Sequence, residues 1–289
     1  MPATGVSGLD LYVKADDGRW RWLGVGQPQE NKTNTSTLAS GLPEGRREFL
    51  LYLPLYNGVR PPSRPFGCPS GVSSVELGVP EGRVVDKTAA RTEGRRKPIV
   101  FYGTSITQGG CASRPGMVHT AILGRRLDRP VINLGFSGNG RMEPEMATLL
   151  ADLDPAVYVL DCLPNMLAAE VTERVEPFVR TLRKAHPETP IVLAEDRLYS
   201  NGTVLPGPRK RNADSHAALK MAYDHLLAGG IKGLYYLPGA VQLGDDGEGT
   251  VDGSHPTDLG FLRMADAFAP VLTEALKQAS EKSRRPAVR

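Results

Sequence analysis

The chain has 289 residues, 40% of them hydrophobic and 23% charged, proportions of an ordinary globular protein that exclude the disordered and fibrous classes. With 35 basic against 32 acidic side chains, the net charge is +3 and both signs are scattered, which gives little long-range pull on nucleic acid or an anionic membrane. No window approaches the ~18 uninterrupted apolar residues of a membrane span, and the length fits one large domain or two moderate ones.

The first residues, Met1-Pro2-Ala3-Thr4-Gly5, include no basic start followed by an apolar stretch. The expectation is a cytoplasmic chain, or a secreted one had a leader been removed. Up to about residue 97, short alternating or aromatic runs at 9–13, 20–25, 49–55 and 72–77 are separated by Gly, Pro, Asn and Ser clusters, with no helical period. This pattern predicts a small β-sandwich over residues 1–97. Trp20, Trp22, Tyr52 and Tyr56 read first as core aromatics and second as stacking surfaces for a sugar ring. Residues 91–98 are polar and basic and suit a linker.

From residue 98 to 289 the rhythm changes. Apolar runs at 99–102, 131–134, 157–161, 191–194 and 234–237 alternate with amphipathic segments, which predicts a parallel sheet covered by helices. Val171, Val175, Phe178, Val179 and Leu182 mark one helical face, in which Pro177 predicts a kink or a restart. A second face is Leu262, Ala265, Phe268, Leu272 and Leu276. The basic end, Lys282, Arg284, Arg285 and Arg289, reads as a solvated tail. Cys68, Cys111 and Cys162 lack CxxC spacing and read as free thiols, not as a disulfide framework or a zinc site.

Chemistry concentrates where strands end. Gly103-Thr104-Ser105-Ile106-Thr107 directly follows the first strand of the sheet, where open α/β folds place their ligand crevice. A serine hydroxyl becomes a nucleophile only when a base takes its proton. Asp252-Gly253-Ser254-His255 lies after the last strand and before the final helix, and its three-residue spacing lets the carboxylate reach Nδ1 of the ring, leaving Nε2 for the Ser105 proton. Gly138 and Asn165, after the second and third strands, are candidates to join the Ser105 N–H in an oxyanion hole. Each residue has a plain alternative as a helix cap, turn former or solvated loop residue, but their fall after successive strands in catalytic order favours the joint reading.

This order resembles the SGNH (GDSL-type) hydrolase family over roughly residues 98–275. The resemblance implies a flavodoxin-like three-layer α/β/α hydrolase, with Ser105 as nucleophile, His255 as base, Asp252 as its orienter, and Ser105, Gly138 and Asn165 forming the oxyanion hole. Two blocks depart from the pattern: Gly-Thr-Ser stands for Gly-Asp-Ser, and Leu-Pro-Asn-Met for Gly-x-Asn-Asp, which alters the loop around Asn165. The β-rich start is similar to the jelly-roll module of two-domain acetylxylan esterases, which implies short acyl, above all O-acetyl, esters on carbohydrate.

Other residues are read as structural. Ser137 in Gly-Phe-Ser-Gly-Asn lacks the second glycine of a nucleophile elbow. His119, His186, His216 and His225 lack ligand spacing, and Asp245, Asp246, Glu248 and Asp252 lack the calcium-loop ladder. Gly103 to Gly110 lacks the ending of a phosphate loop. Glu195, Asp196 and Arg197 either line the pocket or form an ion pair beside it. The expected enzyme needs no metal or organic cofactor, and its partner is a small-molecule or carbohydrate ester, with a homo-oligomer compatible. Two rivals stand beside it: a broad short-chain esterase or thioesterase, and a non-catalytic carbohydrate-binding protein on the same scaffold.

Overall fold

A computed structural model describes residues 1–29, 34–59, 71–72 and 74–283. The chain opens with α1 (Ala3–Ser7), β1 (Asp10–Lys14), β2 (Trp20–Val25) and β3 (Phe49–Tyr52). These strands form a three-stranded antiparallel sheet in the order β2-β1-β3. Two further short strands, β4 (Gly58–Val59) and β5 (Gly71–Val72), pair in parallel. Of the run expected at 72–77, residues 74–77 form neither helix nor strand, and Val75 and Leu77 are exposed. Alternation makes a strand only where a neighbour's edge and an apolar face await it. Residues 74–97, which end in α2 (Glu93–Arg96), are exposed throughout.

Next come β6 (Ile99–Gly103), α3 (Ser105–Gln108), α4 (His119–Leu127), β7 (Val131–Gly135), α5 (Pro144–Ala151) and β8 (Val157–Asp161). The chain continues through α6 (Ala168–Ala185), β9 (Ile191–Ala194), α7 (Pro206–Ala228), β10 (Leu234–Leu237) and α8 (Asp258–Ser283). β6 to β10 build one five-stranded sheet in the order β10-β9-β8-β6-β7, with every pair parallel. Helices cover both faces, so successive residues of a strand enter opposite cores. Val100, Tyr102, Tyr158, Leu160, Ile191 and Leu193 pack with α5, α6 and α7. Ile99, Phe101, Val157, Val159, Val192 and Ala194 pack with α4 and α8.

Two helical expectations need correction. No restart occurs at Pro177: α6 runs unbroken through it, because its apolar face, Val171, Val175, Phe178, Val179 and Leu182, is buried along the full length. One missing N–H costs less than that face contributes. In α8 the buried stripe is Phe261, Met264, Ala265, Phe268, Leu272 and Ala275, whereas Leu262 is exposed. Spacings of three and four from Phe261 keep to one side, and Leu262 lies one residue off that stripe.

Cys111 and Cys162 are free thiols, and burial pushes Cys162 well above its ordinary pKa. Cys68 and the tail arginines Arg284, Arg285 and Arg289 lie outside the described residues. Among the described residues, no helix is long and apolar enough to cross a membrane.

Candidate active site

Register decides what meets at the sheet's carboxyl edge. Gly103 of β6 pairs with Gly135 of β7 on one side and Asp161 of β8 on the other, so the loops after three adjacent strands start at one level. Ser105 lies two residues past Gly103, at the first position of α3. Thr104 caps that helix, its Oγ1 accepting from the Ile106 N–H at 3.3 Å. A threonine at this position satisfies one of the helix's free N–H groups. Gly135 is required by close approach: a Cβ there would lie 2.0 Å from the Gln108 nitrogen.

The structure brings Ser105, His255 and Asp252 into one hydrogen-bonded chain. Ser105 Oγ lies 2.9 Å from His255 Nε2, and His255 Nδ1 lies 2.8 Å from Asp252 Oδ2. The other carboxylate oxygen accepts from the His255 N–H at 2.8 Å and the Ser254 N–H at 3.0 Å. Partial burial works to raise the Asp252 carboxyl, yet these backbone donors and the ring together outweigh it and hold the group below the ordinary carboxylate range. An ionised Asp252 fixes the proton on Nδ1 and leaves the Nε2 lone pair facing Ser105.

Gly138 lies three residues past β7 in a tight turn closed by the Asn139 N–H donating to the Phe136 carbonyl at 3.0 Å. Its φ of +73° is the left-handed value that the third position of a type II turn demands. The Asn165 side-chain amide donates to the Asn139 carbonyl, which ties the loops after β7 and β8 together. The departures around Asn165 have local reasons. Met166 is fully buried in the core, and the Pro164 carbonyl accepts from Arg211 of α7 at 2.7 Å.

Glu195, Asp196 and Arg197 take the second of their two expected roles, an ion-pair network beside the site. Arg197 reaches Asp161 at 2.8 Å, Arg211 reaches Asp196 at 3.3 Å, and Glu195 accepts from Tyr236 and the Gly239 N–H. Asp161 also accepts from Thr107 of α3 at 2.8 Å, which ties the helix that begins with Ser105 to β8. Burial raises the Asp161 carboxyl, with the Arg197 charge acting against it. His119 is sealed in the core and stacks on Phe261 and Phe268. Asp246, from the acidic loop, is engaged by both ends of the Arg263 guanidinium.

The family model for GDSL-like lipases and acylhydrolases matches residues 96–273. The chain belongs to that family. A second model, for the N-terminus of SGNH-hydrolase-type esterases, matches residues 1–61. A chain described as a GDSL-like lipase from Bacteroides ovatus is 38% identical, with a TM-score of 0.83 over 95% of this chain and 76% of that one. Salicylyl-acyltransferase SsfX3 from a tetracycline biosynthetic pathway is 19% identical, with a TM-score of 0.67 over 93% of this chain and 73% of its own. A family two carbohydrate esterase from Clostridium thermocellum, in complex with cellohexaose, is 17% identical, with a TM-score of 0.65 over 96% and 88%. At those last two identities the likeness is one of fold. Among curated proteins none matches. As a GDSL acylhydrolase, the protein is a hydrolase acting on esters.

Sequence reasoning missed one further set of residues. Gly8-Leu9-Asp10-Leu11-Tyr12 puts a fully buried carboxylate on β1 that accepts from Trp22 Nε1, the Gly116 N–H and Arg114 at 2.7 to 2.8 Å. Arg125 of α4 stacks over the Tyr12 ring at 4.1 Å and donates to the Tyr52 hydroxyl. Tyr12 and Tyr52 therefore bind the N-terminal sheet to the α/β half, whereas Trp22, expected as a core aromatic, is exposed. A charged residue alternating with apolar ones inside a strand was the available signal.

Proposed function

We propose that the protein is a serine esterase that cleaves short acyl esters, with O-acetyl groups on carbohydrate as the substrate class, through an acyl-enzyme. The observation that carries this reading is the 2.9 Å approach of Ser105 Oγ to His255 Nε2, with Asp252 behind the ring. In the first half-reaction His255 takes the Ser105 proton as the oxygen attacks the ester carbonyl. The tetrahedral oxyanion is held by the Ser105 and Gly138 N–H groups and the Asn165 amide, and the imidazolium returns its proton to the departing alcohol. In the second half a water gives its proton to His255 and attacks the acyl-serine, releasing the acid and restoring Ser105.

Residues 1–97 are read as a β module and 98–289 as the catalytic part, a division favoured by the exposed stretch at 74–97. The carbohydrate direction is supported by the fold shared with the Clostridium esterase held with cellohexaose. The test compares kcat/KM for acetylated xylo- and cello-oligosaccharides with that for p-nitrophenyl esters of rising chain length, in wild type and in Ser105→Ala. The expected result is a preference for acetyl over longer acyl groups, higher turnover on the sugars, and loss of both activities in the variant. A flat or rising chain-length profile with inert sugars would move the substrate to simple esters. An active Ser105→Ala would overturn the mechanism.

A further inference from the structure

The amide of Gln108, the last residue of the nucleophile's helix, is held at both ends. Its Oε1 accepts from the Ser137 N–H at 3.0 Å, and its Nε2 donates to the Leu55 carbonyl at 3.1 Å. Ser137 is the residue immediately before Gly138. The following N-terminal residue reaches the same place: the Tyr56 hydroxyl donates to the Ser105 carbonyl at 3.4 Å and lies beside Ser137. A Cβ added to Gly110 would come within 3.1 Å of the Tyr56 hydroxyl and 3.2 Å of the His255 ring, so both crowd the same glycine. Leu55 itself packs on Gly109, where an added Cβ would meet its side chain at 2.7 Å. This segment is anchored in turn, since the Leu55 and Tyr56 N–H groups donate to the Gly5 and Val6 carbonyls of α1.

We propose that Gln108 is a positioning residue for the oxyanion loop, and that the N-terminal residues Leu55 and Tyr56 complete the site by holding Gln108 and Ser137 in place. The Gly138 N–H belongs to a turn closed by a 3.0 Å hydrogen bond from Asn139 to Phe136, with a 3.4 Å contact from the Asn139 side chain to the Ser137 carbonyl and the Asn165 amide on the Asn139 carbonyl. Such a turn can tilt its central peptide at little cost, and an oxyanion donor acts only when it is aimed before charge develops. Fixing the Ser137 N–H on Gln108 sets the direction of the next peptide. The β module then has a catalytic consequence without touching substrate. This inference rests on the esterase reading of Ser105 and Gly138.

The test measures kcat and KM for p-nitrophenyl acetate, and the inhibition constant of methylboronic acid, a mimic of the tetrahedral state, in wild type, Gln108→Met, Tyr56→Phe and Ser105→Ala. In Gln108→Met, kcat should fall about tenfold, below the ~10²- to 10³-fold cost of losing a donor outright, with KM within about twofold of wild type. The boronate constant should rise by the same factor as kcat falls, a match that simple loosening of the fold does not produce. Wild-type kcat and boronate affinity in Gln108→Met, beside an inactive Ser105→Ala, would overturn the positioning role alone. An active Ser105→Ala would overturn the esterase reading and this inference with it. Should Gln108→Met fail to fold, Tyr56→Phe decides on the same two readouts: a matched shift of about threefold is expected, and no shift in either overturns the role.

Discussion

Asp252 accepts three hydrogen bonds from a single turn, and that concentration of donors is why its carboxyl is held low despite partial burial. A carboxyl held below its ordinary range keeps its grip on the imidazole above the ordinary carboxylate pKa and loses it only as pH falls through the depressed value. Asp252→Asn removes the charge that fixes the Nδ1 proton, and kcat for a simple acetyl ester should fall on the order of 10³- to 10⁴-fold at neutral pH. A drop of less than about tenfold would remove Asp252 as the orienter of the His255 ring. His119 makes the opposite use of an imidazole. Both ring nitrogens lack a hydrogen-bond partner, and burial, assisted by the Arg197 charge, pushes its pKa from 6.5 down to about 3. The folded protein therefore keeps the ring neutral while the unfolded chain protonates it below 6.5, so stability is complete above that pH and declines as pH falls toward 3. His119→Phe should stabilise the protein at neutral pH, because the stacked site loses two unsatisfied polar atoms. It should also remove about 2 kcal/mol of the loss between pH 7 and pH 5, measured by urea unfolding at each pH. Equal pH dependence in the two proteins would contradict this account of the buried ring.

The strands of the α/β half were legible nearly to the residue because both faces of the sheet are covered. A run such as Ile99 to Tyr102 is apolar at every position for that reason, and periodicity needs no partner to be read. The approach of Ser105 to the Asp252/His255 pair was legible for a related reason: each sits at a short distance from such a strand or helix end. The ties between elements were not legible. Asp10 meets Arg114 and Gly116 across more than 100 residues, Asp161 meets Arg197 across 36, and Gln108 meets Ser137 across 29. No local pattern encodes a partner that only the folded topology supplies. The β1 tie is also the most exacting, since Asp10 is fully buried and three donors converge on it. Asp10→Ala strands Arg114 and the Gly116 N–H, and should lower stability by about 3 to 5 kcal/mol in denaturant unfolding. A loss below about 1 kcal/mol would mean that Arg114 finds other acceptors and that the strand is held by its apolar contacts alone.

At the scale of the molecule, the N-terminal segment and the catalytic half share surfaces. Tyr52 and Leu55 pack on the core formed by α4, α8 and the sheet, and Thr4 Oγ1 donates to the Ser113 carbonyl. The Ser113 N–H in turn donates to Asp258 at the start of α8, three residues after His255. A chain cut back to residues 96–289 bares that apolar seam and removes the support for Gln108. It should run as aggregate on gel filtration, with a lower kcat in any soluble fraction, whereas a monodisperse fragment of wild-type kcat would show that the β module is dispensable. In the proposed mechanism one serine, set by one histidine, attacks an acyl carbon. Its most direct measurement is mass spectrometry of the protein after exposure to a fluorophosphonate. A single adduct on the peptide containing Ser105, absent in Ser105→Ala and strongly slowed in His255→Ala, is the expected result. An unlabelled wild-type protein, or an adduct mapped to another residue, would contradict it.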